Sequence, residues 1–213
     1  MNRIQLTENF LKEKFNTSEY FAQHESERAY RLEHSYRVAN IGKEIAKAEG
    51  FDVECMVIGC LLHDISYCQV FKDGEYVNHG RVSAKIARPF LETLELTSQQ
   101  IEDICYGIAI HVDDKADFEG ERTSFALTIG DADNIDRFDV YRIYENLQYR
   151  NYSEMTIDQK IEYVDTMLEK LPKLKELEFA TETSKQMWFK KLDFQIEFYN
   201  KLKSQNECST KII

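Results

Sequence analysis

The chain has 213 residues, of which 43% are hydrophobic and 31% are charged, as is typical of a globular protein. Lys and Arg total 27 against 38 Asp and Glu, and the resulting net charge of −11 argues against general nucleic-acid binding and against docking on anionic membranes. The sequence shows no apolar leader, no apolar run of about 18 residues and no CxxC pair among its 5 cysteines. We therefore expect a cytoplasmic protein with reduced thiols.

The chain contains only 2 Pro and 8 Gly, which favours helices over a structure built on tight turns. We predict an all-α fold, a compact single-domain bundle of about seven to nine helices over residues 1–213. Apolar spacing and capping residues predict helices, in chain order, over residues 6–15, 27–49, 53–63, 81–94, 98–111, 124–149, 156–172 and 181–203.

Local signals define several helix ends. Ser26 is the expected N-cap of the second helix, and Gly50 is its expected stop. Thr97–Gln100 and Thr156–Gln159 have the pattern of capping boxes. Residues 66–79 between two helices are expected to form a loop.

Several ionisable side chains fall on inward faces of the predicted helices or at their ends. His34 lies four residues before Val38 on a buried stripe, and His111 ends the apolar face of the fifth helix. Imidazole and carboxylate groups are preferred ligands of borderline divalent metals, and a buried Asp without a cation is costly. The spacing therefore indicates a metal site. Its candidate residues are His34, His63, Asp64, His79, His111 and Asp133.

The order and local context of these residues resemble the HD superfamily of metal-dependent phosphohydrolases, in particular small stand-alone bacterial-type members. The resemblance covers about residues 26–140. It is carried by five segments: His34-Ser35-Tyr36-Arg37-Val38, Gly59-Cys60-Leu61-Leu62-His63-Asp64-Ile65, His79-Gly80-Arg81-Val82-Ser83-Ala84, Ile108-Ala109-Ile110-His111 and Asp131-Ala132-Asp133-Asn134-Ile135-Asp136.

The resemblance implies one divalent cation, with Mn, Mg, Fe, Co, Ni and Zn as candidates, and leaves a second, weaker metal open. The implied ligands are His34, His63, Asp64 and Asp133. Such a cation would polarise phosphorus and lower the pKa of the attacking water. The implied catalytic residues are Asp64, His79 and His111, the two histidines transferring a proton at the leaving oxygen.

Arg31 and Arg37 are the candidates for binding substrate phosphate, and Arg31 matches a position where some relatives keep such an arginine. Both fit equally well as ion-pair partners of nearby Glu. His79 fits a surface loop as well as a functional role, and His111 fits a helix end stabilised by the dipole. Tyr67 stands where certain nucleotidases of the superfamily carry a glutamate, which leaves the general base open.

The resemblance implies a phosphohydrolase that acts on a small phosphorylated substrate, most simply a nucleotide. It would be of the nucleoside triphosphate pyrophosphatase type or of the nucleotidase type. A non-catalytic nucleotide or metal sensor, and a di-iron oxygenase or phosphodiesterase of the same superfamily, are the alternatives. We expect the C-terminal helices, over about residues 155–205, to pack on the core at residues 26–140. A homodimer is left open.

Overall fold

The structure is a computed structural model that describes residues 2–72 and 74–210. The all-α class is confirmed, because these residues contain ten α-helices, five short 3-10 helices and no strand. No described helix is both long and apolar enough to cross a membrane. The α-helices are α1 (Arg3–Asn16), α2 (Glu19–Gln23), α3 (Glu25–Glu49), α4 (Val53–Leu62), α5 (His79–Leu91), α6 (Ser98–Ile110), α7 (Ser124–Arg137), α8 (Val140–Tyr149), α9 (Ile157–Lys170) and α10 (Glu182–Cys208).

Capping residues determine where several helices begin. Both predicted capping boxes form, at the starts of α6 and α9. The prediction for Ser26 is wrong, because α3 begins at Glu25 without a side-chain cap. His24 follows directly after α2, and its carbonyl already accepts the amide of Arg28 at 3.0 Å. Ser26 therefore lies inside the first turn of α3.

The helix predicted over residues 124–149 is two helices, α7 and α8. Asp139 begins α8, and its side chain accepts the amide of Val140 at 2.7 Å. The carbonyl of Phe138 accepts the side-chain amide of Gln195 at 2.6 Å. The sequence has neither Pro nor Gly here, so the break depends on these contacts. The predicted loop at 66–79 is partly helical, with short 3-10 helices at Ile65–Cys68 and Glu75–Asn78, and Asp73 lies outside the described residues.

The chain divides into two compact units, and the single-domain organisation stays a prediction. The first is Met1–Asp136 with Phe179–Ser184, and the second is Arg137–Glu178 with Lys185–Ile213. In the first unit α4 packs against α1, α3 and α6. Its residues from Cys55 to Leu62 are all apolar and all buried, and a helix of that kind is stable only when surrounded by others. In the second unit the ring of Trp188 packs edge-on against Phe138, 4.6 Å between centroids.

A close approach between α5 and α6 depends on Gly80. A Cβ atom at this position would lie 2.8 Å from the carbonyl oxygen of Ala109 and 2.9 Å from that of Ile108. It would also lie 3.0 Å from Nδ1 of His111. Only glycine allows the start of α5 to lie this close to the end of α6, which brings His79 beside His111.

Gly80→Ala is expected to destabilise the protein by about 1–3 kcal/mol, because backbone atoms must move apart to admit the methyl group. Gly130→Ala in α7 is the matched control, since a Cβ there meets its nearest atom at 3.4 Å, an ordinary contact. Urea unfolding of both variants measures the difference. Equal stability of the two variants would contradict the importance of this close approach.

Candidate metal centre

Three histidines of the candidate set stand at helix ends. His63 is the C-cap of α4, His79 is the first residue of α5, and His111 is the C-cap of α6. Asp64 directly follows His63 and is buried. Helix packing therefore brings the ends of three helices to one place in the first unit, with Asp64 between them.

The remaining members lie within helices. His34 is in the middle of α3 and Asp133 is in α7, and both side chains are buried. Asp136 lies one turn after Asp133 on the same helix and is also buried. The structure thus brings all six residues that the sequence singled out into a single cluster, together with Asp136.

The first set of donor atoms comprises Nε2 of His34 and His63, Oδ2 of Asp64 and Oδ1 of Asp133. The two Nε2 atoms are 3.2 Å apart. Nε2 of His34 is 3.1 Å from the oxygen of Asp133 and 3.6 Å from that of Asp64. Nε2 of His63 is 3.8 Å from the oxygen of Asp133 and 3.6 Å from that of Asp64. Neighbouring ligands held about 2.0–2.2 Å from one cation lie about 3.0–3.6 Å from each other. The spacing of the His34, His63 and Asp64 atoms therefore fits a single bound cation, and Oδ1 of Asp133 lies beside this set, 3.1 Å from Nε2 of His34.

A second set of donor atoms lies on the other oxygen of Asp64. Oδ1 of Asp64 is 3.2 Å from Nε2 of His79 and 3.6 Å from Nε2 of His111. The two imidazole nitrogens are 3.1 Å apart. Oδ1 of Asp64 is buried and has no hydrogen-bond partner among the described residues. The two sets therefore share Asp64, one through each carboxylate oxygen.

The tautomers of three site histidines follow from their backbone partners. Each directs Nδ1 at the carbonyl oxygen three residues earlier. The pairs are His63 with Cys60, His79 with Tyr76, and His111 with Ile108, each at 2.7 Å. A carbonyl oxygen only accepts, so Nδ1 carries the proton, and Nε2 of the neutral ring presents a lone pair. The carbonyls of Cys60 and Ile108 lie in the last turn of an α-helix, where carbonyl oxygens lack helical amide partners. The carbonyl of Tyr76 lies in a short 3-10 helix and also accepts the backbone amide of His79.

His34 lies inside a helix, where no free carbonyl is available, and its Nδ1 donates to Oδ2 of Asp136 at 2.8 Å. Oδ1 of Asp136 accepts Nε of Arg37 at 2.8 Å. A carboxylate behind a metal-binding histidine fixes the ring and increases its basicity. All four site histidines therefore direct Nε2 at the Asp64 carboxylate or at the other donor atoms around it.

Each pair of opposed Nε2 atoms requires a positive charge. Lone pairs at 3.1–3.2 Å repel one another unless a cation or a proton lies between them. Burial lowers the pKa of His63 to about 4 despite nearby Asp64 and Asp133, so this ring stays neutral. Burial also disfavours protonation of His34, but hydrogen bonds to Asp133 and Asp136 outweigh it and raise its pKa to about 9. In the metal-free protein a proton on Nε2 of His34 supplies this charge for the His34–His63 pair, and a bound cation would displace it.

The carboxylates of the site are held ionised. Burial alone would raise the pKa of Asp64, but the nearby histidines and Arg31 outweigh it and hold the pKa well below its usual value. Burial acts likewise on Asp133, but the hydrogen bond from His34 and the nearby charge of this ring outweigh it and lower its pKa. Anionic oxygens beside neutral imidazoles are the donors that divalent cations require. The residues therefore fit the metal implied by the sequence.

Asp136→Ala is expected to weaken metal binding about 10–100-fold, because His34 loses the group that orients it. Asp136→Asn should lose less metal affinity, since the amide oxygen of asparagine can still accept the hydrogen bond from Nδ1 of His34. Titration of the metal-free protein with Mn²⁺ measures both affinities, and the helical circular dichroism signal checks the fold. Unchanged Mn²⁺ affinity in the alanine variant would contradict the orienting role of Asp136.

The two arginines proposed for phosphate binding lie on α3, and each pairs with a site carboxylate. Nη1 of Arg31 donates to Oδ2 of Asp64 at 2.9 Å, and Arg37 bonds Asp136. Arg31 also stacks on the ring of Tyr67, with Cζ 3.4 Å from the ring centroid. Arg31 thus borders the candidate metal site directly, whereas Arg37 bonds Asp136, which lies behind His34.

Sequence reasoning missed the role of Asp136, which it named only as the last residue of the segment from Asp131. The available signal was its spacing: Asp136 lies three residues after Asp133 and therefore on the same helix face. It also missed the backbone carbonyls that orient three histidines. For His63 and His111 the signal was their position at the end of a predicted helix, whereas His79 lay in the predicted loop, which gave no such signal.

Fold and site together define an all-α protein with a buried cluster of histidine and aspartate side chains that could hold divalent metal. The family model of the HD domain matches residues 31–137, half of the chain, and the chain belongs to this family. The crystal structure of a predicted HD superfamily hydrolase from an uncultured Thermotogales bacterium is similar, with a TM-score of 0.64 and 21% sequence identity. The likeness covers 96% of this chain and 93% of that one, and shows the fold. No curated protein matches the sequence.

Proposed function

We propose that this protein is a metal-dependent phosphohydrolase that acts on a small phosphorylated substrate, a nucleotide in the first place. The observation that carries the proposal is the convergence of four histidine Nε2 atoms on the ionised carboxylates of Asp64 and Asp133. Nε2 of His34 and His63 are 3.2 Å apart, and those of His79 and His111 are 3.1 Å apart. Membership of the HD domain family supports the same conclusion.

We propose two cations, one on each oxygen of Asp64. His34, His63 and Asp133 would hold the first with Oδ2, and His79 and His111 would hold the second with Oδ1. When bound, divalent metal polarises a phosphoryl group and lowers the pKa of a water. The distances of the second set support this role for His79 and His111, for which the sequence suggested proton transfer around one metal.

The protein's own groups would bind and orient the substrate. Arg31 borders Asp64 and carries a guanidinium charge suited to phosphate oxygens. A chain with net charge −11 repels polyanions in general, so a local cationic site favours a small phosphorylated ligand over nucleic acid. Arg37 would act indirectly, by neutralising Asp136 behind His34.

A phosphodiesterase is the second candidate function, favoured by one observation. Binuclear members of the superfamily cleave phosphodiesters, and the sharing of Asp64 between two donor sets supports a binuclear site here. The sharing of Asp64 between two donor sets equally supports a di-iron oxygenase. In that case we expect two irons per chain and oxygen consumption. A non-catalytic sensor predicts metal and nucleotide binding without turnover.

The test is metal analysis of the purified protein with release of phosphate and pyrophosphate from a nucleotide panel. Mn²⁺, Mg²⁺, Co²⁺ and Ni²⁺ are each supplied, and a cyclic dinucleotide and a nitrophenyl diester extend the panel. Pyrophosphate release from triphosphates supports a pyrophosphatase, phosphate release from monophosphates a nucleotidase, and diester cleavage alone a phosphodiesterase. A metal-loaded protein inactive on the whole panel would contradict phosphohydrolase function.

A further inference from the structure

Arg31 has unused hydrogen-bonding capacity next to the candidate metal site. It lies on α3 one turn before His34, and its Nη1 donates to Oδ2 of Asp64 at 2.9 Å. Its Nε is buried and has no hydrogen-bond partner among the described residues. Buried donors are almost always paired, and an unpaired charged donor is costly. The guanidinium is therefore suited to donate a hydrogen bond to an anionic oxygen of a ligand.

Tyr67 determines the plane in which this guanidinium lies. Cζ of Arg31 is 3.4 Å from the centroid of the Tyr67 ring and 5.6 Å from that of Tyr30. Stacking on an aromatic face leaves the N–H groups of an arginine directed outward in its own plane, where they can donate. The Tyr67 ring, which is closer than that of Tyr30, therefore fixes the direction of the Arg31 N–H groups more strongly.

The position of Tyr67 is itself linked to the metal site. Its amide donates to the carbonyl of Asp64 at 3.1 Å, in the 3-10 helix that directly follows Asp64. Its ring contacts that of His79, 5.0 Å between centroids, and that of Phe71 at 6.0 Å. The turn that places Asp64 thus also places the aromatic face under Arg31.

We propose that Tyr67 is a positioning residue that holds Arg31 in the orientation that binds a phosphoryl oxygen of the substrate. This inference rests on the proposed function and adds to it the residue that directs the phosphate contact. It assigns the role to the aromatic ring of Tyr67 and not to its hydroxyl. Phenylalanine should therefore replace it, whereas an aliphatic side chain should not.

The test is a double-mutant cycle on the full-length, Mn²⁺-loaded protein, with affinity for inorganic phosphate measured by calorimetry. Arg31→Met should weaken phosphate binding about 10–100-fold, the effect of removing a charged hydrogen bond. Tyr67→Leu should weaken it about 5–10-fold, and Tyr67→Phe should stay within about twofold of wild type. In the Arg31→Met background, Tyr67→Leu should not weaken phosphate binding further, because Tyr67 acts only through Arg31.

Metal content and circular dichroism of each variant accompany the affinities, with Tyr144→Leu at an exposed tyrosine of α8 as control. Tyr67→Met, with a flexible side chain of similar size, takes the place of Tyr67→Leu in the cycle if that variant is unstable. The positioning role would be overturned if the two substitutions weakened phosphate binding additively in the double mutant. It would also be overturned if Tyr67→Phe and Tyr67→Leu weakened phosphate binding equally. A wild-type protein that binds no phosphate and hydrolyses no phosphate ester would instead refute the proposed function, and this inference with it.

Discussion

Asp64→Asn and Asp64→Ala are expected to lose bound metal and hydrolytic activity together, while the helices remain folded. Oδ2 of Asp64 belongs to the set with His34 and His63, and Oδ1 belongs to the set with His79 and His111. One substitution therefore removes an anionic ligand from both. Asparagine keeps the volume but not the charge. Activity should fall by roughly 10³-fold or more, since metal chemistry contributes several kcal/mol.

Thermal unfolding with and without Mn²⁺ checks the binding part of this prediction. A ligand at 100 times its dissociation constant stabilises the folded state by about 2.7 kcal/mol. The wild type should show this stabilisation, and both Asp64 variants should not. Metal analysis and phosphate release on the same samples complete the measurement.

Asp131→Asn is the matched control for the loss of a buried carboxylate. Asp131 is buried on α7 close to Asp133, but its Oδ2 accepts the amide of Ala180 at 2.9 Å. An asparagine oxygen can accept the same hydrogen bond, so this variant should keep its metal. Metal at the wild-type level and full turnover in both Asp64 variants would rule out the ligand assignment.

His79→Ala and His111→Ala are each expected to reduce the metal content from two ions per chain to one. Both rings present an Nε2 lone pair to Oδ1 of Asp64, and each Nδ1 proton is engaged by a backbone carbonyl. Loss of either ring leaves the second set with two donors. Turnover should fall by at least about 10²-fold, and excess Mn²⁺ should partly restore it.

Metal stoichiometry separates this result from the proton-transfer role predicted by the resemblance. A general acid or base that holds no metal would leave the metal content near normal and cost about 10²–10⁴-fold in rate. That loss would shrink for a nitrophenyl phosphate ester, whose leaving group needs no proton. His24→Ala is the control, because His24 is exposed. Full rate and full metal content in both variants would contradict both roles.

Local sequence signals predicted the helices well where a short segment decides them. The capping boxes at Thr97 and Thr156 each depend on two residues three positions apart, and both form. The break between α7 and α8 was not predicted, because Asp139 and the distant Gln195 stabilise it without Pro or Gly. Ser26 was misassigned because the preceding short helix α2 leads directly into α3.

The sequence by itself determined the all-α class, the family and the residues that meet at the site. These depend on composition, on helical periodicity and on short motifs such as His63-Asp64, all of which are local. Only the tertiary structure decided how the residues pair. His34 and Asp136 are 102 positions apart, and Asp64 shares its two oxygens between donor sets from different helices. Such pairings depend on close approaches such as that of Gly80 to α6, because distances between helices follow from packing and not from spacing along the chain.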